Sequence, residues 1–167
     1  MPPANGPVGN REDRYGFDDT KSPIADALGK FVPQAVVRRA LSLSVRTDRE
    51  TYAPGDPVEL TVEVENQLPL PVAVETPTRR LWGWTVDGEL EASDERIYLP
   101  ERPAKLTFRA GERKVFTQTW NGLFKRVGDG DAPTRWVEPT RGVHEIGAYL
   151  ALDGDRPEDT TEIRIGG

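Results

Sequence analysis

Cysteine is absent, so no disulfide framework, thiol nucleophile or thiolate metal site can form. Histidine occurs once, at His144, which rules out a multi-histidine metal site and leaves any serine nucleophile a single candidate base. A strand histidine facing solvent, or hydrogen-bonded to a neighbour, is the plainer reading of that residue. No run approaches the roughly 18 apolar residues of a membrane-spanning helix. The N-terminal stretch "MPPANGPVGNREDRYGFDD" has neither a basic nor an apolar signal region. A secretory leader is therefore not expected, and the cytoplasm is the expected compartment. Basic charge is also short: 22 Lys and Arg face 28 Asp and Glu, a net charge of −6. That balance argues against a nucleic-acid partner, because phosphate binding wants a basic face. Phosphate-cradling glycine loops of the GxxxxGK[ST] and GxGxxG kinds are missing too.

What the chain does have is turn chemistry and alternation. Sixteen Gly and fifteen Pro punctuate 167 residues, of which 36% are hydrophobic. In "VELTVEVEN", Val58, Leu60, Val62 and Val64 alternate with Glu59, Thr61, Glu63 and Glu65. Successive strand side chains point to opposite faces, so this run predicts an outer sandwich strand with one buried and one wet face. The alternating run from Ala40 precedes it across the Pro54-Gly55-Asp56-Pro57 turn. Further strands are expected at Val72 to Thr76, at Leu81 to Val86 before an Asp87-Gly88 hairpin turn, and in "RIYLPERP". Two more flank the Ala110-Gly111-Glu112 turn. Another holds Ile146, Ala148 and Leu150 on one face, and "TTEIRIGG" closes the set. Seven to nine short strands at this spacing predict an all-β, immunoglobulin-like antiparallel sandwich over residues 40–167.

Residues 1–21 are poor in apolar side chains and are expected to be a disordered tail. Ser22-Pro23 starts a predicted helical extension through residue 39, with Ile24, Leu28, Phe31 and Val32 at helical spacing, a break at Pro33 and a second segment from Gln34. Charge shifts at the same boundary: six bases and five acids lie before Ala40, sixteen bases and twenty-three acids from it onward.

No constellation points to catalysis, a metal or a cofactor, and the chain is read as non-enzymatic. Asp129 and Asp131, two apart in "GDGDAP", could share a calcium ion, but Thr140 stands where an EF-hand needs Glu. A soluble acidic turn is the plainer reading; a calcium- or sugar-binding sandwich is a minor one. Trp82, Trp84 and Trp120 suit core or rim packing. Residues 121–142 form a long expected loop in which Leu123, Phe124 and Trp136 sit among Arg126, Arg135 and Arg141. Aromatics with arginine are hot-spot composition, so Leu123, Phe124, Arg126, Arg135 and Trp136 are the candidate partner-binding residues. A satellite core folded back on the sandwich stands as the alternative.

The segment "LTFRAGERKVFTQTWNG…VEPTRGVHEIGAYLAL" resembles the intracellular proteinase inhibitor family typified by the Bacillus subtilis inhibitor domain, BsuPI. The matching positions are Asn66, Trp82, Trp84, Leu106, Gly111, Glu112, Phe116, Trp120, Gly142, Ala148 and Leu150, within residues 55–152. The resemblance implies an immunoglobulin-like sandwich, a protein partner and inhibition of a cytoplasmic serine protease. Ala110 stands where the family's turn proline is usual, and residues 121–142 are longer than the pattern. A structural or adaptor module, engaging a protein partner through a sheet edge or the N-terminal helix, is the alternative function.

Overall fold

The computed structural model describes residues 32–166. The expected tail, and the helix expected from Ser22 to Phe31, lie outside the described residues. Chain order begins with a short helix α1 (Gln34–Ala40), then β1 (Leu41–Thr47), β2 (Thr51–Tyr52), β3 (Val58–Asn66), β4 (Val72–Thr76), β5 (Trp82–Val86) and β6 (Glu89–Leu90). It continues with β7 (Ala104–Phe108), β8 (Arg113–Trp120), β9 (Phe124–Arg126), β10 (Arg135–Val137), β11 (Gly142–Leu150) and β12 (Glu158–Ile165). Eight strands have five or more residues, in line with the expected seven to nine; the rest are short additions.

Two antiparallel-rich layers form the sandwich, one ordered β1-β3-β8 and the other β2-β12-β11-β5-β6. The alternation in β3 is realised: Val58, Leu60, Val62 and Val64 are buried while Glu59 is exposed. β3 is the middle strand of its layer rather than an outer one. Its glutamates still point away from the core, on a side that no third sheet of the described residues covers. Opposite it, β11 and β12 contribute Ile146, Ala148, Leu150, Ile163 and Ile165, and β5 adds Trp84 and Val86. Side chains from these two inner faces, with Val72, Val74, Leu106 and Phe108 of the β4–β7 pair, are the core. The Val45 amide donates to the Asp159 carboxylate at 2.9 Å, joining β1 to β12 across one open flank. Tyr52 is buried, and its hydroxyl donates to Asp48 at 2.7 Å where the chain crosses between layers.

β7 and β8 follow one another around Gly111 but serve different sheets: β7 pairs with β4, and β8 with β3. The strand expected in "RIYLPERP" does not form; residues 94–103 are irregular and Tyr98 is 91% exposed. Pro100 and Pro103 have no amide hydrogen for a ladder, and no sheet edge receives the segment. The Asp87-Gly88 turn forms as expected. Both residues have positive φ, 50° and 79°, the backbone a tight two-residue hairpin requires.

Candidate functional site

The stretch expected to be a long loop is instead an antiparallel hairpin, β9 against β10. Its base is fixed by local chemistry. Trp120 ends β8 buried, and its indole N–H donates to the Leu123 carbonyl at 2.8 Å. Gly122 between them turns the chain with φ +74°, and a Cβ there would lie 2.4 Å from the Asp56 carbonyl oxygen. Phe124 then packs edge-on against Trp120, with ring centroids 5.5 Å apart.

β9 is held on both edges. Lys125 donates its amide to the Ala92 carbonyl at 2.8 Å, and the Asp94 amide donates to the Lys125 carbonyl at 3.2 Å. Reaching β9 in this way requires Glu91 and Ala92 to take left-handed backbone, φ 53° and 51°, which non-glycine residues adopt at a cost. Lys125 also pairs with Glu95. Arg126 pairs with Glu89, one contact at 2.9 Å, and its guanidinium lies 5.0 Å from the Phe124 ring centroid.

The five candidate residues therefore divide. Phe124 is only 7% exposed and belongs to the core, so it is no partner anchor; Trp120 claims its ring. Leu123 is half-buried, with its carbonyl committed to Trp120. Arg126 is committed to Glu89. Arg135 and Trp136 remain exposed on β10, and Trp136 shows 55% of its surface. Strand register separates Phe124 from Trp136, though not from Arg135, which shares the Phe124 side of the hairpin and is exposed at its far end: Phe124 faces Val137 and Arg126 faces Arg135, whereas Trp136 faces Lys125. With a period of two, Phe124 and Trp136 must point to opposite faces of the hairpin. Val127, Val137 and Val143 are exposed with Trp136, four of the eight large apolar side chains left exposed among the described residues. Val127 and Val137 fall in a segment expected to be loop, where a lone valine carries no signal of exposure, and Val143 opens a run expected to be strand.

The other end of the hairpin is held by His144. This residue is 4% exposed on β11. Its Nε2 lies 2.7 Å from the Thr140 carbonyl oxygen and its Nδ1 lies 2.6 Å from Asp87 Oδ2. Both neighbours are acceptors, an arrangement that favours a ring carrying protons on both nitrogens. Burial works to lower its pKa. The hydrogen bond to Thr140 and the hydrogen bond and charge of Asp87 outweigh it, and the pKa is raised above the ordinary histidine value. Asp87 also accepts the Glu145 amide at 2.9 Å. The β5–β6 turn, the return from β10 and the start of β11 thus meet at one buried histidine.

A pKa raised on folding means folding favours the protonated ring. This stabilisation is full below about pH 6.5, the unfolded histidine value, and is lost as pH rises through the folded pKa. The melting temperature should fall from pH 6 to pH 8.5, and that fall should be absent in His144→Gln. Equal pH slopes for the two proteins, measured by thermal denaturation, would show that the ring is neutral throughout.

An open groove of about 350 Å³ is lined by Arg79, Arg80, Trp82, Trp84, Glu91, Leu99 and Gln118. Arg80 and Glu91 neutralise each other there at 2.7 Å. Trp84 is buried, while Trp82 is half-buried and rests 5.6 Å from Phe116, so both serve as the core and rim residues expected. Asp129 and Asp131 are exposed at the hairpin tip. Among the described residues, no three acidic or histidine side chains are grouped for a metal. No described helix is long and apolar enough to cross a membrane.

Residues 29–166 match the model of a family of unknown function, DUF7974. No curated protein matches the chain. Among solved structures it is similar to the CARDB domain of PF1109 from Pyrococcus furiosus, at 14% identity and TM-score 0.45, covering 75% of this chain and 94% of that one. It is also similar to a β-glucosidase from Listeria innocua, at 15% identity and TM-score 0.46, covering 76% of this chain but 16% of the glucosidase. Spo0M, the sporulation control protein of Bacillus subtilis, is 16% identical with TM-score 0.46, over 77% of this chain and 50% of that one. At such identity these likenesses concern the fold alone.

Proposed function

We propose that this chain, which belongs to the family of unknown function DUF7974, is a non-enzymatic module that binds a protein partner in the cytoplasm through its β9–β10 hairpin. The observation carrying this reading is Trp136. An indole 55% exposed, on a hairpin pinned at one end by Trp120 and at the other by His144, is a rigid apolar anchor. Preorganised aromatic anchors dominate binding energy because little freedom is lost when they dock. The resemblance to BsuPI over residues 55–152 makes a cytoplasmic serine protease the first partner to test; an inhibitor would present the hairpin to the enzyme without being turned over. The adaptor alternative is favoured by the open edge of β10, which gives a sheet-edge route to a partner.

Purified intracellular serine proteases titrated with the chain test this. Stoichiometric inhibition is expected, weakened about 30-fold (~2 kcal/mol) by Trp136→Ala with an unchanged melting temperature. Absence of inhibition removes the protease and leaves the adaptor. Partner binding that is indifferent to Trp136→Ala removes the hairpin as the site.

A further inference from the structure

The backbone of Trp136 is as informative as its ring. Neighbouring residues along a strand direct their N–H and C=O groups to opposite edges. Lys125 spends both of its groups on Ala92 and Asp94. Lys125 and Trp136 are therefore a non-hydrogen-bonded pair. The N–H and C=O of Trp136 point away from β9, to an edge that no described strand occupies. Unpaired edges of this kind accept another strand, and proteins usually blunt them with lysine, proline or a bulge. No lysine, proline or bulge falls within Arg135–Val137, whose guards are its shortness and the charge of Arg135; Pro133 and Pro139 bracket the strand and limit the open window to about five residues.

Charge indicates what fills the window. Arg135 and Arg141 are exposed and make no ion pair among the described residues. Glu138 is the acid beside the strand, and Asp129 and Asp131 lie at the tip. A second copy of the chain fits poorly. Hydrogen-bonded pairing must join outward-facing residues of both strands, so Trp136 would face Trp136, Glu138 or Thr134 of the copy. Arg135 would then face valine, proline or another arginine, never an acid. The net charge of −6 opposes self-association as well.

We propose, building on the protein-binding reading above, that the β10 edge takes an extended segment of the partner protein as an added antiparallel strand. An acidic side chain faces Arg135, an aliphatic one faces Trp136 and a β-branched one faces Val137. Cross-strand pairs of these kinds are the stabilising ones in sheets.

The synthetic peptide Thr-Lys-Val-Ile-Glu-Thr has this order, and titrating it into the full chain while following Trp136 emission tests the proposal. A saturable blue shift is expected, absent in Trp136→Ala. N-methylation of the peptide's isoleucine, which faces Trp136, should abolish the shift. Exchanging the peptide's Lys and Glu should weaken binding several-fold, and Arg135→Glu should reverse that preference. No shift at millimolar peptide, tolerance of N-methylation or indifference to the charge exchange each overturns the proposal. So does a dimer in sedimentation that Trp136→Ala dissolves, or peptide binding that appears only after residues 1–31 are deleted. If Trp136→Ala still weakens an intact partner while the peptide fails, strand addition falls and the protein-binding module stands.

Discussion

Replacing Trp120 with alanine is expected to cost about 3–5 kcal/mol, the range for truncating a large buried aromatic. The residue is 2% exposed at the end of β8, paired in register with the fully buried Val58. Alanine would leave a cavity where the two layers meet. It would also orphan the Leu123 carbonyl and remove the surface on which Phe124 packs. Trp120→Phe separates these effects: it retains most of the packing and should lose roughly 1 kcal/mol with the hydrogen bond. Urea titrations of both variants give the comparison. Near-neutral behaviour of Trp120→Ala would place the ring outside the core. Because Trp120 supports the base of the hairpin, the alanine variant should also weaken any partner held through Trp136, in contrast to Trp136→Ala, which should leave stability alone.

Where an element is long and one of its faces is wet, its sequence shows it. Over residues 58–65 β3 alternates four apolar with four polar residues, and β11 places Ile146, Ala148 and Leu150 on its buried face. The Asp87-Gly88 turn is legible because few residues accept its backbone. The hairpin is not legible, because "FKR" and "RWV" are too short to show a period. Which of their side chains turns inward is decided by residues 92–94 and by Trp120, contacts the local sequence does not encode. His144 could be read as a strand residue, but its partner Asp87 is 57 positions away. The BsuPI resemblance has a physical explanation of its own. Asn66, Trp84, Leu106, Trp120, Ala148 and Leu150 are all buried, and Glu112 accepts the Arg109 amide across the Gly111 turn. Those positions hold the fold together, so the likeness concerns the sandwich, whereas the proposed partner site rests on Arg135, Trp136 and the β10 edge, which lie outside them.

Asn66 is expected to be the most sensitive polar position. It is fully buried at the end of β3, where the chain bends toward β4. Its side-chain amide donates to the Leu70 carbonyl at 2.9 Å and to the Arg109 carbonyl at 2.8 Å. Its side-chain oxygen accepts the Leu68 amide at 3.0 Å. One side chain thus satisfies three backbone groups from two separate turns. Asn66→Ala leaves the Leu68 amide and the Leu70 carbonyl without partners and the Arg109 carbonyl with the Glu112 amide alone, and about 3 kcal/mol of stability should go with them, since each buried orphan costs about 1–3 kcal/mol and such losses are not additive. Asn66→Asp is the sharper test because it keeps the shape. Its carboxylate would set a charged oxygen against the Leu70 and Arg109 carbonyls, which raises the folded pKa of that carboxyl above its unfolded value. Protonation restores one donor, so this variant should be least stable at neutral pH and recover part of the loss as pH falls toward 4.5, relative to the parent chain at each pH. Thermal melts across that range decide the matter. An Asn66→Asp protein as stable as its parent at pH 7 would mean that water, not the two carbonyls, surrounds the amide.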